Sequence, residues 1–91
     1  MRYTVSIAGQ FKNSRKLCEK RGFDVNLLDV IVERIANREK LEPQYRDHQL
    51  LGYKKCYREC HIKPDWLLIY AVDDDKQSIV LVDTGTHSDL F

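Results

Sequence analysis

After Gly52 the apolar residues of this chain change from helical spacing to a period of two, and that change limits the folds open to it. Leu27, Leu28, Ile31 and Ile35 recur at helical spacing, with Asn26, Asp29, Glu33 and Asn37 opposite. After Gly52 the period falls to two. Tyr53, Lys55, Tyr57, Glu59 and His61 share one face of a strand, and Cys56, Arg58, Cys60 and Ile62 take the other. Trp66 to Val72 is an unbroken apolar run, the pattern of a central strand covered on both faces. Past the polar turn Asp73 to Gln77, Ile79 to Val82 is a further, β-branched strand.

The first part of the chain completes the order. Tyr3, Val5 and Ile7 alternate with Arg2, Thr4 and Ser6 as a half-buried strand does, and Gly9 ends that run. Gln10 to Arg21 predicts a helix with a narrow inner stripe of Phe11, Ser14 and Cys18. Gly22 fits its end, and Asp24 is placed to cap the next helix. Pro43 opens a loop that runs to about Gly52. The expected fold is α+β, in the order β-α-α-β-β-β: an N-terminal strand and a helical pair packed on a curved antiparallel sheet. With 91 residues it is expected to form one domain, 1–91.

Charge is segregated along the chain. Residues 1–63 carry 14 Lys and Arg against 8 Asp and Glu, a net +6, and residues 64–91 carry 1 against 6, a net −5. The basic part includes Lys12, Arg15, Lys16 and Lys20 on the outer face of the first predicted helix, a surface suited to phosphate. No apolar run reaches the ~18–20 residues of a membrane span, and no secretory apolar region follows the first residues. Three cysteines, an odd number, do not make a disulfide framework. A cytoplasmic protein without a membrane partner is the expectation.

The groups that carry chemistry lie in the second half. His61 follows Glu59 by two on a strand, so the two point the same way about 6.6–7 Å apart. Asp65 lies where the chain turns, His48 on the loop feeding this strand and His87 on the tail leaving the last one. Imidazoles gathered near a carboxylate can share general acid and base work. Zinc is not expected: Cys56 and Cys60 lie about 13 Å apart on a strand, and His61 points away from Cys60. Cys18 and Cys60 fall on inner faces, the ordinary place for a free thiol acting as a small hydrophobe. Tyr45, Tyr53, Tyr57 and Phe91 suit stacking on bases or half-buried packing. A Walker loop, a dinucleotide fingerprint and a nucleophile elbow are all missing, which leaves nucleotide and serine hydrolysis without support.

Three blocks resemble the YafQ branch of the RelE/ParE toxin superfamily. They are Tyr45-Arg46-Asp47-His48-Gln49-Leu50-Leu51-Gly52, then Tyr57 to Tyr70 with Glu59-Cys60-His61 and Pro64-Asp65-Trp66, then Thr84-Gly85-Thr86-His87-Ser88-Asp89-Leu90-Phe91. The resemblance implies a RelE-like fold and a ribosome-dependent mRNA endonuclease, the toxin half of a type II toxin–antitoxin module. Its partners would be a cognate antitoxin protein, the 70S ribosome and mRNA, with operator DNA met only through the antitoxin complex. It implies catalytic roles for His48, His61, Asp65 and His87, and substrate contacts by Phe91, Arg58, Lys63 and Glu59, where the branch commonly has Asp. It implies no metal and no cofactor, because the ribose 2′-OH can serve as nucleophile. The basic helix, with Lys12, Arg15, Lys16, Lys20 and Arg21, would face ribosomal RNA. Two alternatives share the scaffold: a ParE-like inhibitor of DNA gyrase, which needs no acid–base cluster, and a catalytically weak homologue acting with its antitoxin as a corepressor.

Overall fold

Both helices stop, and the second also starts, where local chemistry requires. In the computed structural model, which describes residues 1–50 and 57–91, α1 (Gly9–Lys20) is closed by two backbone bonds. Phe23 N donates to Cys18 O and Gly22 N to Glu19 O, both at 3.0 Å, with Gly22 at φ 88°. This paired closure needs a left-handed residue, and glycine adopts that conformation without steric cost. Helix α2 (Val25–Ala36) opens at Asp24, whose carboxylate accepts from Asn26 N at 3.1 Å. It closes with the same pair of bonds, Glu39 N to Arg34 O and Arg38 N to Ile35 O, but with Arg38 in the left-handed position.

The sheet holds β1 (Thr4–Ile7), β2 (His48–Gln49), β3 (Tyr57–Lys63), β4 (Trp66–Asp73) and β5 (Ser78–Gly85) in the order β1-β5-β4-β3-β2. Strands β3, β4 and β5 form the expected antiparallel meander. Strand β1 pairs with β5 in parallel, from Thr4 opposite Ser78 to Ile7 opposite Leu81, so the sheet is mixed rather than antiparallel throughout. Only strands joined by hairpins must alternate in direction, and β1 leaves the sheet through the helical pair. The stretch expected as a loop from Pro43 contains a 3-10 turn, Pro43–Tyr45, and the edge strand β2. The start of the long strand, with Tyr53, Lys55 and Cys56, lies outside the described residues. Among those described, no helix is long and apolar enough to cross a membrane.

One face of the sheet carries the helices. Phe11 and Cys18 of α1 and Leu28, Ile31 and Ile35 of α2 pack on Cys60, Leu68, Tyr70, Ile79 and Leu81. Each fully buried aliphatic side chain here contributes about 1.5–3 kcal/mol relative to exposure. Leu27, part of the expected stripe, is instead 37% exposed. Leu67 and Ile69 are buried on the other face, so β4 is covered on both sides as its apolar run implies. That second face also buries Glu59 and His61, at 7% and 9% exposure, where the alternation suggests a polar, wet surface. The reason is position: β3 is an interior strand, with Ile69 and Leu67 directly opposite Glu59 and His61 on β4 and His48 opposite Glu59 on β2.

Candidate active site

The register of three strands brings distant residues to one end of this second face. His48 is the cross-strand partner of Glu59, and His61 follows on the same side of β3. Asp65 occupies the turn between β3 and β4. Because Leu67 pairs with Gly85, β5 ends beside that turn and delivers the short helix α3 (His87–Leu90) to it.

The result is a continuous row of polar groups. Glu59 Oε1 lies 3.6 Å from His48 Nε2 and 3.6 Å from His61 Nε2. The His61 and His87 rings stand 5.6 Å apart between centroids. Asp65 Oδ1 accepts from His87 Nδ1 at 2.5 Å and from the His87 backbone N at 2.9 Å. These two bonds, the backbone one first, hold the Asp65 carboxyl below the usual carboxylate range.

Partners of the ring nitrogens assign the protons. A carbonyl only accepts, so His48 Nδ1 donates to Arg46 O at 2.6 Å and His61 Nδ1 to Pro64 O at 3.3 Å. An imidazole already donating at Nδ1 meets a carboxylate favourably at Nε2 only when both nitrogens carry protons. His87 differs: its Nδ1 proton goes to Asp65, which leaves Nε2 free to accept. Arranged this way, the row can take a proton at one end and give one at the other.

Residues with no such role expected from the sequence hold the row in place. Asp47, next to His48, accepts from Tyr70 Oη at 2.5 Å and from Arg58 Nε at 3.3 Å. Helix α3 is capped by Thr86, whose hydroxyl accepts from Asp89 N, while the Asp89 carboxylate accepts from Thr86 N. The same carboxylate receives Arg21 of the α1 end in a fork, at 2.6 and 3.2 Å. The Arg21 guanidinium, then the Thr86 N–H, pull the Asp89 carboxyl well below its ordinary range. A Thr followed three residues later by Asp is the sequence signal that marks this cap.

Other expected site residues fall elsewhere. Arg58 is not brought to the row: it lies on the helix-bearing face of β3, bonded to Asp47, because neighbouring strand residues point to opposite sides. Lys63 is exposed at the end of β3, on the rim of a cleft that begins at His61. Phe91 is 66% exposed one turn beyond His87, to whose carbonyl its N–H donates. Lys12, Lys16 and Lys20 are exposed on α1, which packs against the opposite face of the sheet from the row. Arg15 is paired with Asp29 at 2.8 Å and Arg21 with Asp89, so neither is a free cation of that surface. Cys18 and Cys60 are buried, and burial pushes the Cys60 thiol up to about 12, which keeps it protonated and unreactive. Among the described residues, no group of three or more His, Cys, Asp or Glu is disposed to hold a metal ion.

The family described as the bacterial toxin of type II toxin–antitoxin system, YafQ, matches residues 3–91. The mRNA interferase toxin YafQ of Escherichia coli K12 is 38% identical over 88 residues, covering 96% of this chain and 94% of that protein. A metal-bound toxin from Helicobacter pylori superposes with a TM-score of 0.91 at 40% identity, covering 98% of this chain and 99% of the other. In the E. coli DinJ–YafQ toxin–antitoxin complex, a chain 36% identical superposes at 0.91, covering 100% and 99%. By sequence and by fold, this chain belongs to the YafQ family of bacterial type II toxin–antitoxin toxins.

Proposed function

We propose that this toxin is an mRNA interferase, an endoribonuclease that cuts ribosome-bound mRNA through its ribose 2′-OH and is silenced by a cognate antitoxin. The relative from E. coli K12 carries the first part of that description in its name, and the DinJ–YafQ complex illustrates the second. The observation that carries the reading is the row from His48 through Glu59 and His61 to His87 and Asp65.

The chemistry assigns each group a task. His87, held by Asp65 with Nε2 free, takes the proton from the 2′-OH as its oxygen bonds to phosphorus. His48, whose Nδ1 donates to Arg46 O, gives a proton from Nε2 to the departing 5′-oxygen as the P–O5′ bond breaks. His61, backed by Glu59, offsets the charge that builds on the phosphorane. The products are a 2′,3′-cyclic phosphate and a 5′-hydroxyl. Exposed Phe91 stacks on a base, and Lys63 draws a phosphate.

The decisive experiment is induction in bacteria with mapping of mRNA 5′ ends. The parent should break mRNA inside translated codons, and co-expressed antitoxin should suppress the breaks. His87→Ala should lose roughly 10²–10⁴-fold in cleavage, the usual contribution of a general base. Parental cleavage and growth arrest by His87→Ala would sink this assignment.

A further inference from the structure

A cleft adjoins the row without being part of it. It encloses about 620 Å³ between α2, the Pro43–Tyr45 turn and the end of β3. His61 forms one wall, Leu27 and Val30 an apolar side, and Arg46 and Lys63 two cationic positions. Among the described residues, no carboxylate lines it. Two further features tie it to the row: Arg46 and Pro64 line the cleft, and their carbonyls orient His48 and His61.

We infer that this cleft is a nucleotide subsite, which takes the RNA residue beside the scissile phosphate, base and ribose against Leu27 and Val30, phosphate toward Arg46 and Lys63. The inference rests on the nuclease reading and extends it past His61 into the adjoining cleft. The charge decides the class of ligand: two cations and no acid call for an anion, and the exposed aliphatic side calls for an apolar body attached to it. A nucleotide is both. The volume falls in the ordinary range of small-molecule sites and exceeds what a lone phosphate needs. Contiguity decides between RNA and an acidic peptide. A strand with its scissile phosphate on the row must send its next residue past His61, whose ring is shared by both sites.

Val30 tests this because it is 57% exposed and takes no part in the row. Val30→Glu places a carboxylate in the cleft, and Val30→Lys places a cation of similar reach there. The first probe is a short 2′-O-methyl RNA, which binds but lacks the nucleophile. Titrated into the parent, it should shift the methyl resonances of Leu27 and Ile31. Val30→Glu should bind about tenfold more weakly, Val30→Lys at least as tightly as the parent, and both should melt like the parent. In ribosome-dependent cleavage, Val30→Glu should raise the mRNA concentration for half-maximal rate about tenfold and leave the maximal rate unchanged. Equal losses in the Glu and Lys variants would overturn the subsite. So would methyls unmoved by RNA, including the case in which only antitoxin moves them. Absence of any cleavage by the parent would instead strike the nuclease reading, and the methyl titration would still decide the cleft.

Discussion

Gly22 and Arg38 occupy equivalent places after consecutive helices, and only the glycine suits the conformation. Both are left-handed, at φ 88° and 60°, and both complete the same paired closing bonds. A Cβ added at Gly22 meets nothing within 4 Å, so Gly22→Ala tests the backbone alone. It should lower stability in urea melts by about 1 kcal/mol, the usual cost of a side chain at positive φ. Arg38→Gly should gain a similar amount from the backbone but lose the guanidinium that stands 5.1 Å from the Tyr3 ring centroid, a contact of about 0.5–1 kcal/mol when exposed. The two nearly cancel, and a change within about 0.5 kcal/mol is expected. Gly22→Ala matching the parent would mean that the closing turn relaxes at no cost.

Helix α3 has only four residues, too few to hold itself, yet it carries His87. Its anchors are the Thr86 cap and the Arg21–Asp89 fork, which fix the chain on either side of His87. On the proposed mechanism Arg21 is accordingly a positioning residue. Arg21→Ala should lower the maximal cleavage rate several-fold to tenfold with the half-saturating mRNA concentration unchanged, and Arg21→Lys should restore part of it. A matching loss in apparent affinity would mean instead that Arg21 touches RNA. The pH dependence has a definite sign. Asp89 and Asp65 are held below their unfolded values, so these links are complete above about pH 4 and are lost only as pH falls through the depressed values. Activity at pH 5 should therefore show no defect from a loosened α3. How far this was legible in the sequence depends on range. The helices, their caps at Gly22 and Asp24 and the buried run Trp66 to Val72 follow from local periodicity and turn chemistry. The parallel pairing of β1 with β5, the fork between Arg21 and Asp89 and the role of Arg58 in holding Asp47 join residues far apart in the chain. Nothing local encodes them. Alternation gave Glu59 and His61 their shared face correctly, but whether that face is wet depends on which strands flank β3.

At the scale of the whole molecule, the sheet separates two kinds of surface. The imidazole and carboxylate row lies on one face, and α1 with exposed Lys12, Lys16 and Lys20 covers the other. On the proposed reading, a toxin that cuts mRNA on the ribosome would need both: chemistry turned toward mRNA, and a sequence-independent grip on ribosomal RNA. Phosphate contacts by these lysines would supply that grip without reading bases. Arg15 and Arg21 contribute little to it, since each is already paired within the fold. Reversing Lys12, Lys16 and Lys20 together to Glu should thus weaken co-sedimentation with ribosomes and flatten its dependence on salt, because fewer counterions are released per complex. Surface lysines on a helix far from the row carry little folding energy, so the thermal midpoint should change only slightly. Ribosome binding that keeps both its strength and its salt slope in the triple variant would assign the grip to another surface, and the cations of the cleft, Lys63 and Arg46, would be the next to reverse.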